Sequence, residues 1–67
     1  MTEVELTQAK AKSMSPEQIA AEIARIDGAI AQRGWLPGMR PDRECHRYFK
    51  RRAVFTAELI HQTTSQR

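Results

Sequence analysis

The sequence predicts an all-α fold: an antiparallel helical hairpin that pairs with a second copy of itself into a four-helix arrangement. Three observations carry it. Between residues 42 and 63, Cys45, Tyr48, Phe49, Ala53, Phe55, Thr56, Leu59 and Ile60 fall within less than half of a helical wheel, opposite Arg43, His46, Arg47, Lys50, Arg51 and Glu58. Ile19, Ile23, Ile26 and Ile30 recur at spacings of 4, 3 and 4, the narrow seam of a helix with a close helical partner. A short stretch containing Gly34, Pro37, Gly38 and Pro41 separates these segments, and two helices joined by so few residues lie antiparallel.

Residues 1 to 14 give conflicting signals. Thr2 to Glu5 reads as a capping box, whereas Val4 and Leu6 between Glu3, Glu5 and Thr7 alternate as a strand would. The expectation is a mobile or short helical segment of one or two turns, because few residues here can anchor it. The hairpin spans 15 to 63, with a helix over 15–33, a turn over 34–41 and a helix over 42–63, followed by a frayed tail over 64–67. Ser15 as N-cap, Pro16 at the first helical position and Gln18 three residues on form a capping box, with Met14 and Ile19 placed for a hydrophobic staple. Ala20, Ala24 and Ala31 run beside the isoleucine seam, with Ala21 and Gly28 behind it, and small side chains let a second helix approach closely.

Gly34 suits the left-handed position that ends a helix, after which Trp35 folds back on Ile30. Pro37 followed by Gly38 suits a type II turn. Trp35, Leu36 and Met39 either plug the end of the hairpin or present an anchor to a partner, since tryptophan is enriched at binding hot spots. The second helix opens with Pro41 in its first turn or Asp42 as its N-cap, and Asp42 and Glu44 put negative charge at the positive end of the helix dipole. Arg52 falls on the apolar side, where it pairs with Glu22 or Asp27 or serves an interface; Val54 falls among the charges as a lone exposed apolar residue.

At 67 residues the chain is one domain at most, and one of this size buries only about 60% of the surface its unfolded form exposes. Such scaffolds recover stability through disulfides, metals or self-association. The single cysteine excludes an internal disulfide, and one Cys with two His falls short of a structural zinc set, so a homodimer is expected and no metal or cofactor. Its predicted core and dimer residues are Ile19, Ile23, Ile26, Ile30, Tyr48, Phe49, Arg52, Phe55 and Leu59. No apolar run approaches the roughly 20 residues that cross a bilayer and no signal-peptide layout opens the chain, which is therefore read as cytoplasmic, with no membrane partner.

The net charge of +3 is unevenly placed: residues 1 to 34 sum to −1 and residues 35 to 67 to +4. No glycine-rich phosphate loop, paired metal-ligand spacing or nucleophile with a base can be assembled. Cys45 reads as a buried small hydrophobe, while His46 and His61 fall on the polar arc, so catalysis is not expected. A protein-binding module then stands first, with Trp35, Met39, Arg40, Arg43, Arg47, Lys50 and Arg51 as its partner-binding residues. The weaker alternative is a small nucleic-acid-binding protein that uses Arg43, Arg47, Lys50 and Arg51 on phosphates, although residues 43 to 54 hold no Asn, Gln or Ser to read base edges.

The capped hairpin from Ser15 to Gln62, the lack of catalytic groups, the Ala- and Arg-rich composition and the total size resemble the very small phage anti-activator proteins, which bind a LuxR-type quorum-sensing regulator and can also inhibit the type IV pilus assembly ATPase. The resemblance implies a dimeric, non-enzymatic inhibitor that binds a host regulator or ATPase and keeps the regulator from DNA. The excess of positive charge departs from an acidic DNA mimic, so inhibition would occlude rather than imitate.

Overall fold

A computed structural model describes residues 2–65, and within them the chain is all-helical: α1 (Glu3–Lys12), α2 (Pro16–Gln32) and α3 (Arg43–Ser65). The N-terminal segment is thus a helix of 10 residues, longer than the one or two turns expected. Thr2 caps it by accepting from the Glu5 N–H at 3.2 Å. Glu3 and Glu5 in its first turn and Lys10 and Lys12 in its last complement the helix dipole, and Ala, Leu, Gln and Lys favour helix throughout. Its packing face consists of Thr7 and Ala11, which are small, so hydrophobic periodicity barely registers it. The Thr7 hydroxyl donates to the Glu3 carbonyl at 2.8 Å, which lets this polar residue be buried.

At the start of α2 the Gln18 N–H donates to Ser15 Oγ at 3.2 Å and the Ser15 N–H to Gln18 Oε1 at 2.9 Å, which is both halves of the capping box. Its end is set by Gly34 at φ 79°, whose N–H donates to the Ala31 carbonyl at 3.0 Å. Asp42 is the N-cap of α3: its Oδ1 accepts from the Cys45 N–H at 2.8 Å. α3 continues to Ser65, so residues 64 and 65 of the tail expected over 64–67 are helical; residues 66 and 67 lie outside the described residues.

Both other helices pack on α3. α2 runs antiparallel to it, with Asp27 beside Arg52 and Arg33 beside Asp42. α1 runs parallel to it: Glu3 meets Arg47 at one end, and the Gln62 amide donates to the Met14 carbonyl at the other. The core forms where the three meet, from Ala11, Ile19, Ile26, Ile30 and Phe55, with Met14, Ile23, Trp35, Tyr48, Phe49 and Leu59 packed around it. Ile19 and Phe55 are fully buried.

This arrangement changes two expectations. Ile19, Ile26 and Ile30 are spent inside one chain, so the isoleucine seam is not a surface left open for a second copy. The charged arc of α3 carries α1 along part of its length, and Val54, expected to be exposed there, is half-buried under it. Conversely, Ala53 and Ile60 lie at the far flank of the apolar arc, which neither α1 nor α2 covers, and Ile60 is exposed.

Arg52 resolves as an ion pair, its Nε donating to Asp27 Oδ1 at 2.7 Å, with Glu22 instead beside Arg25. Both partners of the Arg52 pair are partly open to water, so it fixes the register of α2 on α3 more than it stabilises the fold. Phe55→Ala is expected to cost about 3–5 kcal/mol, enough to unfold a domain this small, whereas Ser15→Ala is expected to cost about 1 kcal/mol. Urea unfolding followed by circular dichroism checks both.

Candidate functional site

The ten residues from Arg33 to Asp42 make a stiff corner at one end of the molecule. Gly34 turns the chain in the left-handed conformation. A type II turn follows, with the Met39 N–H donating to the Leu36 carbonyl at 3.0 Å across Pro37 and Gly38, where Gly38 has φ 95°. The Trp35 indole lies inside this corner. Its ring stands edge-on to Phe49 at 4.9 Å between centroids, and its Nε1 donates to the Met39 carbonyl at 3.1 Å. Trp35 therefore contacts Phe49 of α3 as it joins the cluster that contains Ile30, and it braces the turn from within.

Arg33 ties the two ends of the corner together. Its guanidinium donates to Asp42 Oδ2 at 2.7 Å and to Glu44 Oε2. Asp42 is held down to about 2 from the ordinary 3.8, first by the Cys45 backbone N–H that it caps and then by Arg33; Arg33 in turn is raised, chiefly by Asp42. One carboxylate thus both starts α3 and fastens it to the end of α2.

With Trp35 turned inward and the ends fastened, the side chains left pointing out are Leu36, 63% exposed, and Met39, 51% exposed. Arg40 follows Met39 directly and Arg43 opens α3, both exposed and without an ion pair among the described residues. The corner is an apolar knob with a cationic rim.

The cations continue along α3, where α1 lies beside them. Arg47 is exposed and pairs with Glu3 at 3.2 Å. Lys50 is exposed and Arg51 half-buried, and neither has an ion pair among the described residues. Between α1 and α3 runs a groove of about 250 Å³ lined by Val4, Thr7, Arg47, Lys50, Arg51 and Val54, with Thr2 and Glu3 at its end.

The structure therefore divides the predicted partner-binding residues. Met39 and Arg40 stand at the corner, Arg43, Arg47, Lys50 and Arg51 line α3, and Trp35 faces inward as the corner's brace. Leu36, grouped with Trp35 and Met39 as plug or anchor, points outward, whereas Val4 and Glu3 were assigned no place at the site. Val54 was the available signal: an apolar residue amid charges marks a face that something covers. Cys45 is buried with Asp42 over its backbone N–H, and both His46 and His61 are exposed. Among the described residues no three of His, Cys, Asp and Glu gather as a metal site would require, and no helix is long and apolar enough to cross a membrane. Compared with known proteins, the chain matches no family model, no curated protein and no solved structure at a significant level.

Because Asp42 has a depressed folded-state pKa, its contribution to stability is fully present above the ordinary carboxylate range and is lost as pH falls through it toward about 2. Asp42→Asn should flatten the acid limb of a stability–pH profile between about pH 4 and pH 2, and Arg33→Gln should do so in part. Thermal unfolding across that range reads both.

Proposed function

We propose that this chain is a non-enzymatic, protein-binding inhibitor, which seats its apolar corner in a socket on another protein and so occludes a functional surface there. One observation carries the reading: Leu36 and Met39 are held outward on a connection braced by Trp35, by the turn at Pro37 and Gly38, and by Arg33 across its base. Large apolar side chains fixed in advance lose little entropy on binding, and a polar rim such as Arg40 and Arg43 selects an acidic surround.

The class of target comes from the resemblance to phage anti-activator proteins, which rests on size, helical plan and missing chemistry. On that reading the partner is a host protein in the cytoplasm, either the DNA-binding region of a transcription regulator in quorum sensing or the ATPase of pilus assembly. A homodimer belongs to the same reading. With the isoleucines spent, it would form on the outer face of α2, where Ala20, Ala24, Gly28 and Ala31 are exposed and small. Sedimentation as a folded monomer at micromolar concentration removes the dimer.

A specific observation favours a second reading. α1 supplies the third helix that a helix-turn-helix core needs, and Arg40, Arg43, Lys50 and Arg51 have no ion pair among the described residues. The lack of Asn, Gln or Ser over residues 43 to 54 keeps it second.

The test is a tagged pull-down from bacterial lysate with nuclease, read by mass spectrometry, for the natural chain and for Leu36→Ser combined with Met39→Ser. The natural chain is expected to retain one protein in near-equal amount after digestion, and the variant to keep its helical circular dichroism while losing that protein. Retention abolished by nuclease or raised salt, and kept by the variant, would overturn the reading in favour of the basic face.

A further inference from the structure

The groove between α1 and α3 is separate from the apolar corner. We propose that it binds a short acidic peptide segment of a protein partner, one that carries an apolar side chain between its carboxylates, and that Glu3 of the free protein stands in for one of those carboxylates. Charge complementarity selects the acid. Arg47, Lys50 and Arg51 line the groove, and Glu3 is the one carboxylate among the described residues that do. Glu3 already reaches Arg47 at 3.2 Å, which marks where a carboxylate sits. Lys50 and Arg51 have no such partner among the described residues.

The lining of the groove selects a peptide over a nucleic-acid strand. Val4 and Val54 line the groove together with Thr7 and supply its apolar part, and about 250 Å³ accommodates an aliphatic side chain or two. A phosphate backbone needs only the cations and gains nothing from that apolar part. A peptide with an aliphatic residue flanked by Asp and Glu meets both requirements. The exchange costs little, because an exposed pair such as Glu3 with Arg47 is weak in water. Glu3 therefore acts as an internal competitor, easily displaced by a segment that offers more than one carboxylate.

Titration calorimetry of the full chain tests this with three probes: a capped peptide of sequence Asp-Glu-Leu-Glu-Asp, its uncharged counterpart Asn-Gln-Leu-Gln-Asn, and a short DNA duplex of mixed sequence. The acidic peptide is expected to bind and its counterpart not. Glu3→Gln should tighten the acidic peptide by about two- to fivefold, the size of one exposed charge pair, and Lys50→Gln should weaken it by a similar factor. Val54→Ser should weaken it too, whereas Leu36→Ser with Met39→Ser should leave it unchanged, which separates this site from the corner. Equal binding of the two peptides would overturn the proposal, as would affinity that Glu3→Gln leaves unchanged in a chain of undiminished helicity. Tighter binding of the duplex, indifferent to Val54→Ser, would assign the face to nucleic acid. Should Glu3→Gln loosen α1, the Lys50→Gln arm decides alone, since that exposed side chain makes no ion pair on which the fold depends.

Discussion

Everything in this small protein depends on the burial of Phe55, which sits where all three helices meet, against Ala11 of α1 and Ile19 of α2. A chain of this length has room for one such point, and the geometry of the rest follows from it. Ile26 and Ile30 extend the contact of α2 along one side of α3, and Thr7 extends that of α1 along another. The small size of Ala11 lets α1 come close enough for the aromatic ring to be enclosed. A third helix thereby supplies part of the burial that a bare hairpin would have had to find in a second copy.

The corner and the groove are two outcomes of that arrangement. Antiparallel packing of α2 on α3 forces a tight connection, and its backbone hydrogen bonds, Trp35 brace and Arg33 clasp satisfy the connection's polar groups from within, so its apolar residues have nowhere to go but out. Parallel packing of α1 brings Glu3 to the cations of α3 and leaves a furrow lined in part by valines. Both surfaces join apolar side chains to positive charge.

Much of the local structure was legible in the residues. Ser15 with Gln18, Gly34, and Pro37 with Gly38 each satisfy a backbone requirement that few other residues can meet, and each does so where expected. Asp27 was one of two candidates for Arg52, and pairs with it. What periodicity missed is α1, because its contact face is Thr7 and Ala11, residues that carry almost no hydrophobic signal yet fit closely against a larger neighbour. Burial of Ile19, Ile26 and Ile30 within one chain takes up the core half of their expected role, and α1 helps to close the cluster they share with Phe55. Half-buried Val54 and Arg51 mark the line along which α1 lies on the charged arc of α3.

The order of the helices along the chain also bears on how the molecule assembles. Contacts between α2 and α3 close short loops, such as Arg33 to Glu44, 11 residues apart, and Asp27 to Arg52, 25 apart. Those that fasten α1 span 44 residues from Glu3 to Arg47 and 48 from Met14 to Gln62. Loop closure must precede the contacts that reward it, and by this measure the contacts between α2 and α3 cost less to close than those that fasten α1. The same ordering would make α1 the first element to detach when the native state opens locally. Each such detachment would uncover the cationic side of α3 that carries Val54.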